Sequence, residues 1–441
     1  MAKSTPDSAQ NLVIYSVYVR AHGKNGTFQD VEEDLPRIKE LGVDVVWFLP
    51  IHPIGKLKAK GSLGCRYSIS DYRGINPEYG TLADFERLVR RAHELGLKVI
   101  IDVVYHHTSH DSNLISEHPE WYRQNDDGTP QTSVPEWSDI IDLNHPNNEL
   151  SAYLVESLAL WVRAGVDGFR CDVASCVPME LWQQATQELR ALNPDLIWLA
   201  ESVNPDFIRD RRAAGLIAHS DSEVFECFDI LYDYDIWFMW KACIEGKVPV
   251  ERYVEMLALQ DAIYPKNFCK LRFVENHDQK RIMSSAENEN QAKAWTAFQA
   301  FNRGPFLIYA GQESGAKPTP SLFEKEPVEW KDYALSSFLT KLAQLKKDSA
   351  QTAGKFKLLS SQPCLQAVWQ GKVDSLYGIF NVTGCNEKSL PVQVPDGDYE
   401  DLLSQKKISV KNGTMGSPES AVILRCSAAK FALFTPQFWT Y

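Results

Sequence analysis

Three acidic residues stand at the ends of three apolar, strand-like runs. Asp172 closes the run GFRCD, Glu201 closes IWLAE, and Asp278 closes FVENHD. The 29 residues from Asp172 to Glu201 suit one helix and a return strand, and the further 77 residues to Asp278 suit two such units. Because each carboxylate ends a rigid strand, we expect all three in one cleft. One carboxylate that attacks and one carboxyl group that donates a proton would together perform covalent, acid-assisted bond cleavage.

A fourth run, KVIIDVVYHH, places Asp102 and His107 in the same way before Asp172. Strand-like and helix-like runs alternate from residue 12 onward, which is typical of a parallel sheet with crossover helices. Eight strands are predicted: LVIYSVYV, DVVWFLP, KVIIDVV, GFRCDV, IWLAE, VFECFD, KLRFVE and FLIYA. Polar residues at the carboxyl ends of such strands build the active site of a (β/α)8 TIM barrel, which is the predicted fold.

The residue pattern divides the chain into three predicted parts. The barrel should comprise residues 1–104 and 146–350. Residues 105–145 are rich in Pro, Asp, Asn, Ser and His, and they interrupt the barrel after its third strand as a short inserted subdomain. Residues 351–441 have a short β-like periodicity with many turn residues, among them Asn412 and Gly413, which predicts a C-terminal antiparallel β-sandwich.

Bulk composition argues against several classes of protein. A chain of 441 residues, 44% hydrophobic, can bury a large core, and its net charge of −12 argues against nucleic-acid or anionic-membrane partners. The amino-terminal run MAKSTPDSAQ has no hydrophobic signal region, and no apolar run approaches the ~20 residues of a membrane span. Nine scattered cysteines suit a reducing compartment better than a disulfide framework, so a cytoplasmic location is predicted.

The four strand-end runs resemble, in order, the four motifs of the α-amylase family of retaining glycosidases, glycoside hydrolase family thirteen. DVVYHH resembles the first motif, GFRCDVAS the second, the glutamate of LAES the third and FVENHD the fourth. The runs GVDVVWFLP, IIDLNH and GPFLIYAGQE agree with the same family. The resemblance covers most of the chain and implies a glycoside hydrolase that acts on α-glucans.

The resemblance implies a role for each acid. Asp172 would be the nucleophile, Glu201 the acid/base, and Asp278 would bind sugar hydroxyls and steady the oxocarbenium-like transition state. Cleavage with retention needs the first two carboxyl groups about 5–5.5 Å apart, a separation that adjacent strand ends supply. Arg170 lies two residues before Asp172 on the same strand, so both side chains should point the same way and the guanidinium would keep Asp172 ionised.

The resemblance also implies a set of substrate-binding residues: Tyr67, Asp102, His107, Arg170, His277 and Arg281. The two histidines would hydrogen-bond the hydroxyls of a bound glucose, and Tyr67 would stack on it. Glu275 is interpreted as structural. Neither histidine has an i, i+4 partner or a companion cysteine set, so no metal site is predicted.

Two positions depart from the family pattern. The first motif usually has an asparagine, which ligates a structural calcium, where this chain has His106; an imidazole is a poor calcium ligand. We therefore expect no calcium and no other cofactor. Many α-amylases carry Lys-His three and four residues after the nucleophile, where they grip the leaving-side sugar. Ser175 and Cys176 stand there in this chain, which argues against strict cleavage of long starch.

The leading hypothesis is a retaining hydrolase that cleaves the α-1,4 bonds of maltodextrins or starch, a monomer whose partner is an α-glucan oligosaccharide. Val173, directly after the nucleophile, resembles members that cut α-1,6 bonds, whereas IIDLNH and FVENHD favour α-1,4. An α-1,6-acting glucosidase or a transglycosylase, such as a glucanotransferase or a sucrose phosphorylase-like enzyme, remains open. A non-catalytic sugar-binding or transporter-subunit relative is a further alternative, but such relatives usually lose the acids or carry a membrane helix.

Overall fold

The structure is a computed structural model that describes residues 5–427 and 430–436. One sheet contains eight strands in the order β10-β1-β2-β3-β6-β7-β8-β9. The strands in chain order are β1 Val13–Val17, β2 Val45–Phe48, β3 Lys98–Val103, β4 His107–Ser109, β5 Ile140–Asp142, β6 Gly168–Cys171, β7 Ile197–Ala200, β8 Ile230–Tyr232, β9 Lys270–Leu271, β10 Phe306–Tyr309, β11 Lys355–Ser360, β12 Leu365–Gln370, β13 Asp374–Phe380, β14 Leu390–Pro391, β15 Gly397–Glu400, β16 Lys407–Val410, β17 Thr414–Met415 and β18 Ala421–Ser427.

Helices connect the strands of this sheet, which confirms the predicted (β/α)8 barrel. The α-helices are α1 Val19–His22, α2 Phe28–Glu40, α3 Leu82–Glu94, α4 Asn113–Glu117, α5 Asn148–Arg163, α6 Met179–Leu192, α7 Pro205–Ala213, α8 Asp221–Val224, α9 Tyr234–Ile244, α10 Val250–Ile263, α11 Ile282–Ser285, α12 Glu289–Phe301, α13 Ser336–Lys346 and α14 Ser349–Ala353. Helix α3 shows why they begin where they do. Thr81 accepts a hydrogen bond from the Asp84 N–H, and the Asp84 carboxylate accepts one from the Thr81 N–H, which closes a capping box.

The chain divides into two compact units, of which the first comprises Thr5, Ile14–Asp235 and Pro320–Glu329. Within it, β1, β2, β3, β6, β7 and β8 pair in parallel, each with the next. Nearly every residue of these strands is buried, so they read as continuous apolar runs, as expected for a sheet covered on both faces. The register of β3 and β6 places Asp102 opposite Arg170, and this register positions the side chains described below.

The prediction that VFECFD forms a strand is wrong. Residues 224–229 contain the last residue of α8 and a turn, and the strand is β8, which begins one residue later. The Ser220 N–H and hydroxyl both donate to the Glu223 carboxylate, at 2.7 and 2.6 Å, and start a helical turn. Asp229 then accepts the Trp198 N–H at the start of the strand. Local hydrogen bonding thus outweighs the β propensity of the two phenylalanines in this segment.

The insertion predicted at 105–145 is built around the antiparallel pair β4 and β5. Trp121 is buried there and stacks on His118, with ring centroids 3.8 Å apart, whereas Trp137 is partly buried and packs against Phe207. The indole of Trp121 is therefore a packing group. Among the described residues, no helix is long and apolar enough to cross a membrane.

The second unit comprises Pro6–Val13, Ile236–Thr319 and the residues from Trp330 onward. Its C-terminal part contains an antiparallel sheet in the order β11-β12-β13-β18 and the pairs β14–β17 and β15–β16, which confirms antiparallel C-terminal sheets. Asn412 and Gly413 form the predicted turn, with φ of 54° and 67°. The boundaries 1–104, 146–350 and 351–441 stay a prediction, and residues 1–4, 428–429 and 437–441 of those ranges lie outside the described residues.

Candidate active site

A single buried guanidinium binds three carboxyl groups at the carboxyl ends of β3, β6 and β7. Nη1 of Arg170 donates to Oδ1 of Asp102 at 2.9 Å and to Oδ1 of Asp172 at 2.7 Å. Nη2 of Arg170 lies 2.8 Å from Oε2 of Glu201, as an ion pair rather than an aligned hydrogen bond. The structure therefore brings together two of the three predicted catalytic acids, Asp172 and Glu201, with Asp102 and Arg170.

The β-strands account for this arrangement. In β6 successive side chains alternate between faces, so Arg170 and Asp172 share one face while Cys171 is fully buried on the other. Glu201 directly follows β7, and its N–H donates to the Cys171 carbonyl at 3.0 Å, which continues the ladder to the edge of the sheet. The two acids project from neighbouring strand ends, as predicted from their spacing.

The backbone after Asp172 turns sharply and holds Glu201. Val173 has φ 35° and ψ 45°, a left-handed conformation that is an outlier for a β-branched residue. Its N–H donates to Oε2 of Glu201 at 2.9 Å. The same oxygen also contacts Arg170. Oε2 of Glu201 therefore has two partners, and neither of these two groups contacts Oε1. A strained residue that aims a donor at a buried carboxyl group is typical of an active site.

Burial and mutual repulsion raise the pKa values of two acids in this cluster, Asp102 and Asp172. Burial is the largest cause and raises the pKa of Asp102 to about 7, against the opposing effect of Arg170. Burial also raises the pKa of Asp172 well above its ordinary value; Arg170 opposes this, and the Glu201 and Asp102 carboxylates add to it. Three carboxyl groups share one guanidinium, so the cluster retains a proton close to neutral pH. Arg170 lowers the pKa of Asp172, as expected, but burial outweighs this effect.

Tyr67 and His107 flank the cluster in the first unit. The Tyr67 hydroxyl donates to Oδ2 of Asp102 at 3.0 Å. His107 is buried, with a pKa lowered to about 4 by that burial, so its imidazole is neutral at ordinary pH. The Trp137 ring lies 5.7 Å from the His107 ring. These neutral polar groups beside an aromatic ring suit a ligand that is rich in hydroxyls.

Asp278 and His277 belong to the second unit and have their own surroundings. Oδ2 of Asp278 lies 3.0 Å from Nε2 of His277, and the Asp278 N–H donates to the Asn276 side chain at 2.8 Å. The Asp278 side chain is 35% exposed, in contrast to the buried His277. The loop that follows β9 thus presents a carboxylate to solvent. The prediction that Asp278 shares one cleft with the other two acids stays a prediction.

Three residues predicted to bind substrate have no exposed surface: Asp102, Arg170 and Arg281. Their role in binding substrate stays a prediction, and in the structure each of them is held by protein partners. Arg281 donates to the Glu275 carboxylate at 2.7 Å and to the Ala310 carbonyl at 2.8 Å, and Glu275 is structural, as interpreted. The charges of these three groups are balanced by protein partners, as a buried charge requires.

The positions that replace the family's Lys-His pair are also buried. Ser175 has no exposed surface; its Oγ accepts the Val203 N–H at 3.3 Å, and its carbonyl accepts the His219 N–H at 2.8 Å. Cys176 lies in an apolar cluster with Val173. Neither side chain offers a charged or exposed group to a sugar.

The surroundings of His106 do not suit calcium. Nε2 of His106 lies 3.2 Å from Nη2 of Arg211, so a permanent cation already occupies this side of the ring. Calcium prefers oxygen ligands and is repelled by a guanidinium. Among the described residues, no group of three or more His, Cys, Asp and Glu side chains could hold a metal ion.

We expect chelator treatment to leave the melting temperature nearly unchanged, because Arg211 contacts the position where a calcium ligand would otherwise be expected. The measurement is thermal unfolding with and without an excess of EDTA. A matched sample with added calcium serves as the control. A large fall in melting temperature that calcium restores would contradict the expectation.

Sequence reasoning missed two features of this region, the left-handed turn at Val173 and the contact made by Arg211. Valine is disfavoured in left-handed backbone, so no local signal announces the turn at Val173. Arg211 lies 105 residues from its partner His106, and an arginine on a helix with two further arginines is ordinarily a solvated residue. Only the three-dimensional structure shows that Arg211 and His106 are in contact.

Comparisons with known proteins indicate one family. The family model described as "Alpha amylase, catalytic domain" matches residues 2–139 and 134–357, and "Bacterial Alpha amylase C-terminal domain" matches residues 357–424. The solved structure of an α-amylase from Lactobacillus plantarum is 40% identical, with a TM-score of 0.92, and the match covers 95% of this chain and 100% of that one. The maltogenic α-amylase AmyB from Thermotoga neapolitana is 30% identical, with a TM-score of 0.85, covering 96% and 100%.

The α-amylase MalA from Haloarcula japonica is 27% identical over 361 residues, which cover 78% of this chain but 50% of that protein. The match to an α-1,4-glucan:maltose-1-phosphate maltosyltransferase from Arcanobacterium haemolyticum is 36% identical and covers 43% of this chain and 30% of that protein. The chain thus spans half or less of the length of these two curated relatives. The catalytic-domain match extends over most of the chain, and the chain belongs to the α-amylase family of glycoside hydrolases.

Proposed function

We propose that this enzyme is a retaining hydrolase that cleaves the α-1,4-glucosidic bonds of maltodextrins or starch. The observation that carries the proposal is the guanidinium of Arg170, which binds Asp172 through one nitrogen and contacts Glu201 through the other. Two carboxyl groups on one guanidinium favour the short separation of retaining enzymes, about 5–5.5 Å, over the about 6.5–9.5 Å of inverting enzymes.

The contacts support an assignment of the reacting atoms. Oδ1 of Asp172 is engaged by Arg170, so Oδ2 would attack the anomeric carbon. Oε2 of Glu201 accepts the Val173 N–H, so Oε1 would carry the proton. Attack by Asp172 forms the glycosyl ester while the glycosidic bond breaks, and the proton of Glu201 passes to the leaving oxygen. Water then gives its proton to Glu201 and attacks the ester, which frees Asp172.

Asp278 would bind sugar hydroxyls and stabilise the oxocarbenium-like transition state. Its partly exposed carboxylate beside His277 supports this role. His107 and His277 would hydrogen-bond the hydroxyls of the same glucose, and Tyr67 would present its ring to it.

An α-1,6-acting or transferring enzyme is the second candidate. Val173 follows the nucleophile directly and resembles members that cut α-1,6 bonds. Among the relatives, one is named neopullulanase 2, from Thermoactinomyces vulgaris, and several are named maltosyltransferases. Product analysis over maltose, maltotriose, isomaltose, pullulan, starch and sucrose separates the candidates. Release of glucose or maltose from maltotriose, with isomaltose and sucrose untouched, supports α-1,4 hydrolysis; longer products or isomaltose cleavage support the second candidate.

We expect kcat/KM for maltotriose to maltohexaose to equal or exceed that for soluble starch, counted per cleavable chain. Ser175 and Cys176 are buried and provide no charged grip on leaving-side sugars, and each lost polar contact costs about tenfold in affinity. Initial rates over the oligosaccharide series and starch test this. Random internal cleavage of starch, with a rapid fall in iodine staining and a clear preference for the polymer, would contradict it.

A monomeric state and a cytoplasmic location are also part of the proposal. The nine cysteines all lie among the described residues, and each is a free thiol. A chain of this composition without disulfides suits a reducing compartment.

A further inference from the structure

Two adjacent histidines and one arginine form a chain of hydrogen bonds behind the site. Nη2 of Arg211 contacts Nε2 of His106 at 3.2 Å, and Nδ1 of His106 contacts Nδ1 of His107 at 3.2 Å. Arg211 is 7% exposed and is fixed by two further bonds, to Oγ of Ser133 and to the carbonyl of Ile217, both at 3.1 Å. Arg211 therefore reaches the histidine pair from α7 in a fixed orientation.

Both imidazoles are neutral. Burial lowers the pKa of His106 well below its ordinary value, and the neighbouring His107 and Arg211 lower it further. Burial lowers the pKa of His107 to about 4, although Asp142, Asp139 and a hydrogen bond to the Tyr67 backbone oppose the change. A neutral imidazole carries its proton on one nitrogen only, so each ring must be either the Nδ1–H or the Nε2–H tautomer.

The direction of each hydrogen bond then follows from the arginine. A guanidinium only donates, so Nε2 of His106 accepts and carries no proton. The proton of His106 is therefore on Nδ1, which donates to Nδ1 of His107. His107 accepts at Nδ1 and must carry its own proton on Nε2. Oδ1 of Asp142 lies 4.0 Å from Nδ1 of His106, and its negative charge favours a proton on that nitrogen.

We propose that Arg211 is a positioning residue that fixes the tautomers of His106 and His107, so that His107 presents Nε2–H as a hydrogen-bond donor to a hydroxyl oxygen of the bound sugar. The hydrogen bond from His107 to a sugar hydroxyl rests on the proposed function. The tautomer assignment rests on the contacts and on the neutrality of both rings. Arg211 touches no reacting atom and acts through two rings.

Nuclear magnetic resonance of the full-length enzyme labelled with 15N-histidine tests the assignment without substrate. Long-range proton–nitrogen correlations distinguish a protonated from a bare ring nitrogen, and the chain has 10 histidines. The His106→Gln and His107→Gln variants identify the signals. We expect Nδ1–H with bare Nε2 for His106, and Nε2–H with bare Nδ1 for His107. The opposite tautomer of His107 in the wild-type enzyme would overturn the proposal.

The Arg211→Met variant removes the donor that sets the direction. We expect the spectrum of His107 to change from one tautomer to a mixture of both. The matched control is Arg212→Met, on the same helix, because Arg212 pairs with Glu223 and is 48% exposed. The control should leave both tautomers unchanged. An unchanged His107 tautomer in Arg211→Met would show that the arginine only tethers the loops, and would overturn the proposal.

Kinetic measurements test whether Arg211 acts on the reaction through His107. Arg211→Met should lower kcat/KM for maltotriose about tenfold, the worth of one hydrogen bond to the sugar. In a His107→Gln background the same change should cost less than about twofold, because its effect passes through His107. Equal losses in both backgrounds would contradict the proposal. Absence of activity on every glucan would instead refute the proposed function and leave the tautomer result standing. If Arg211→Met fails to fold, the wild-type spectrum decides.

Discussion

Replacement of Asp172 by asparagine is expected to lower kcat by roughly four orders of magnitude while leaving the fold intact. The amide retains the shape of the carboxylate but is too weak a nucleophile to form the glycosyl ester. The variant also removes one of three carboxyl groups around Arg170, so its melting temperature should hold or rise. Steady-state rates on maltotriose and thermal unfolding are the measurements.

The control for this change is Asp206→Asn, which alters an acid that is 81% exposed on α7 and pairs with Arg209. It should retain wild-type rates. A fluorinated glycosyl fluoride that traps the covalent intermediate should label the wild-type enzyme and the control, but not Asp172→Asn, as read by intact mass. Full activity of Asp172→Asn would overturn the assignment of the whole site.

Replacement of Glu201 by glutamine should separate substrates by the quality of their leaving group. Substrates with poor leaving groups need a proton delivered and should lose about 10²–10⁴-fold in kcat/KM, whereas activated aryl glycosides should lose far less. Measurement of kcat/KM on both substrate types gives the result.

Azide provides an independent check on Glu201. It needs no general base, so it should attack the glycosyl-enzyme of Glu201→Gln, restore turnover and yield an α-glycosyl azide. The same addition should do nothing for Asp172→Asn, which forms no such ester. Equal losses on both substrate types, without azide rescue, would show that Glu201 is not the acid/base.

Much of the barrel was accessible from sequence because its signals are local. Apolar runs predict the strands, and Thr81 marks the start of α3 through a capping box formed within four residues. The exception is the sixth strand, where VFECFD has a β-like composition but Ser220 and Glu223 begin a helical turn just before it. Two signals of similar strength competed there, and the hydrogen bonds of the turn decided the outcome.

The site was accessible only in part. Strand alternation predicts that Arg170 and Asp172 face the same way, and the contact at 2.7 Å agrees with it. Sequence could not show that Arg281 would be fully buried against Glu275, because burial is a property of the assembled fold. The partnership of Arg211 with His106 was invisible for the same reason, since it depends on how α7 packs on the insertion.

Selection for heat resistance alone would act against valine in the left-handed turn at Val173. A β-branched residue in this conformation costs about 1–3 kcal/mol, a large part of which glycine would recover at once. The valine side chain packs in an apolar cluster with Cys176 and Val203, which holds the turn closed. A glycine would loosen the peptide whose N–H holds Glu201. Laboratory evolution of a thermostable enzyme should therefore select for turnover as well as for folding at high temperature. Selection for stability alone would enrich proteins in which the Glu201 carboxyl group is misaligned.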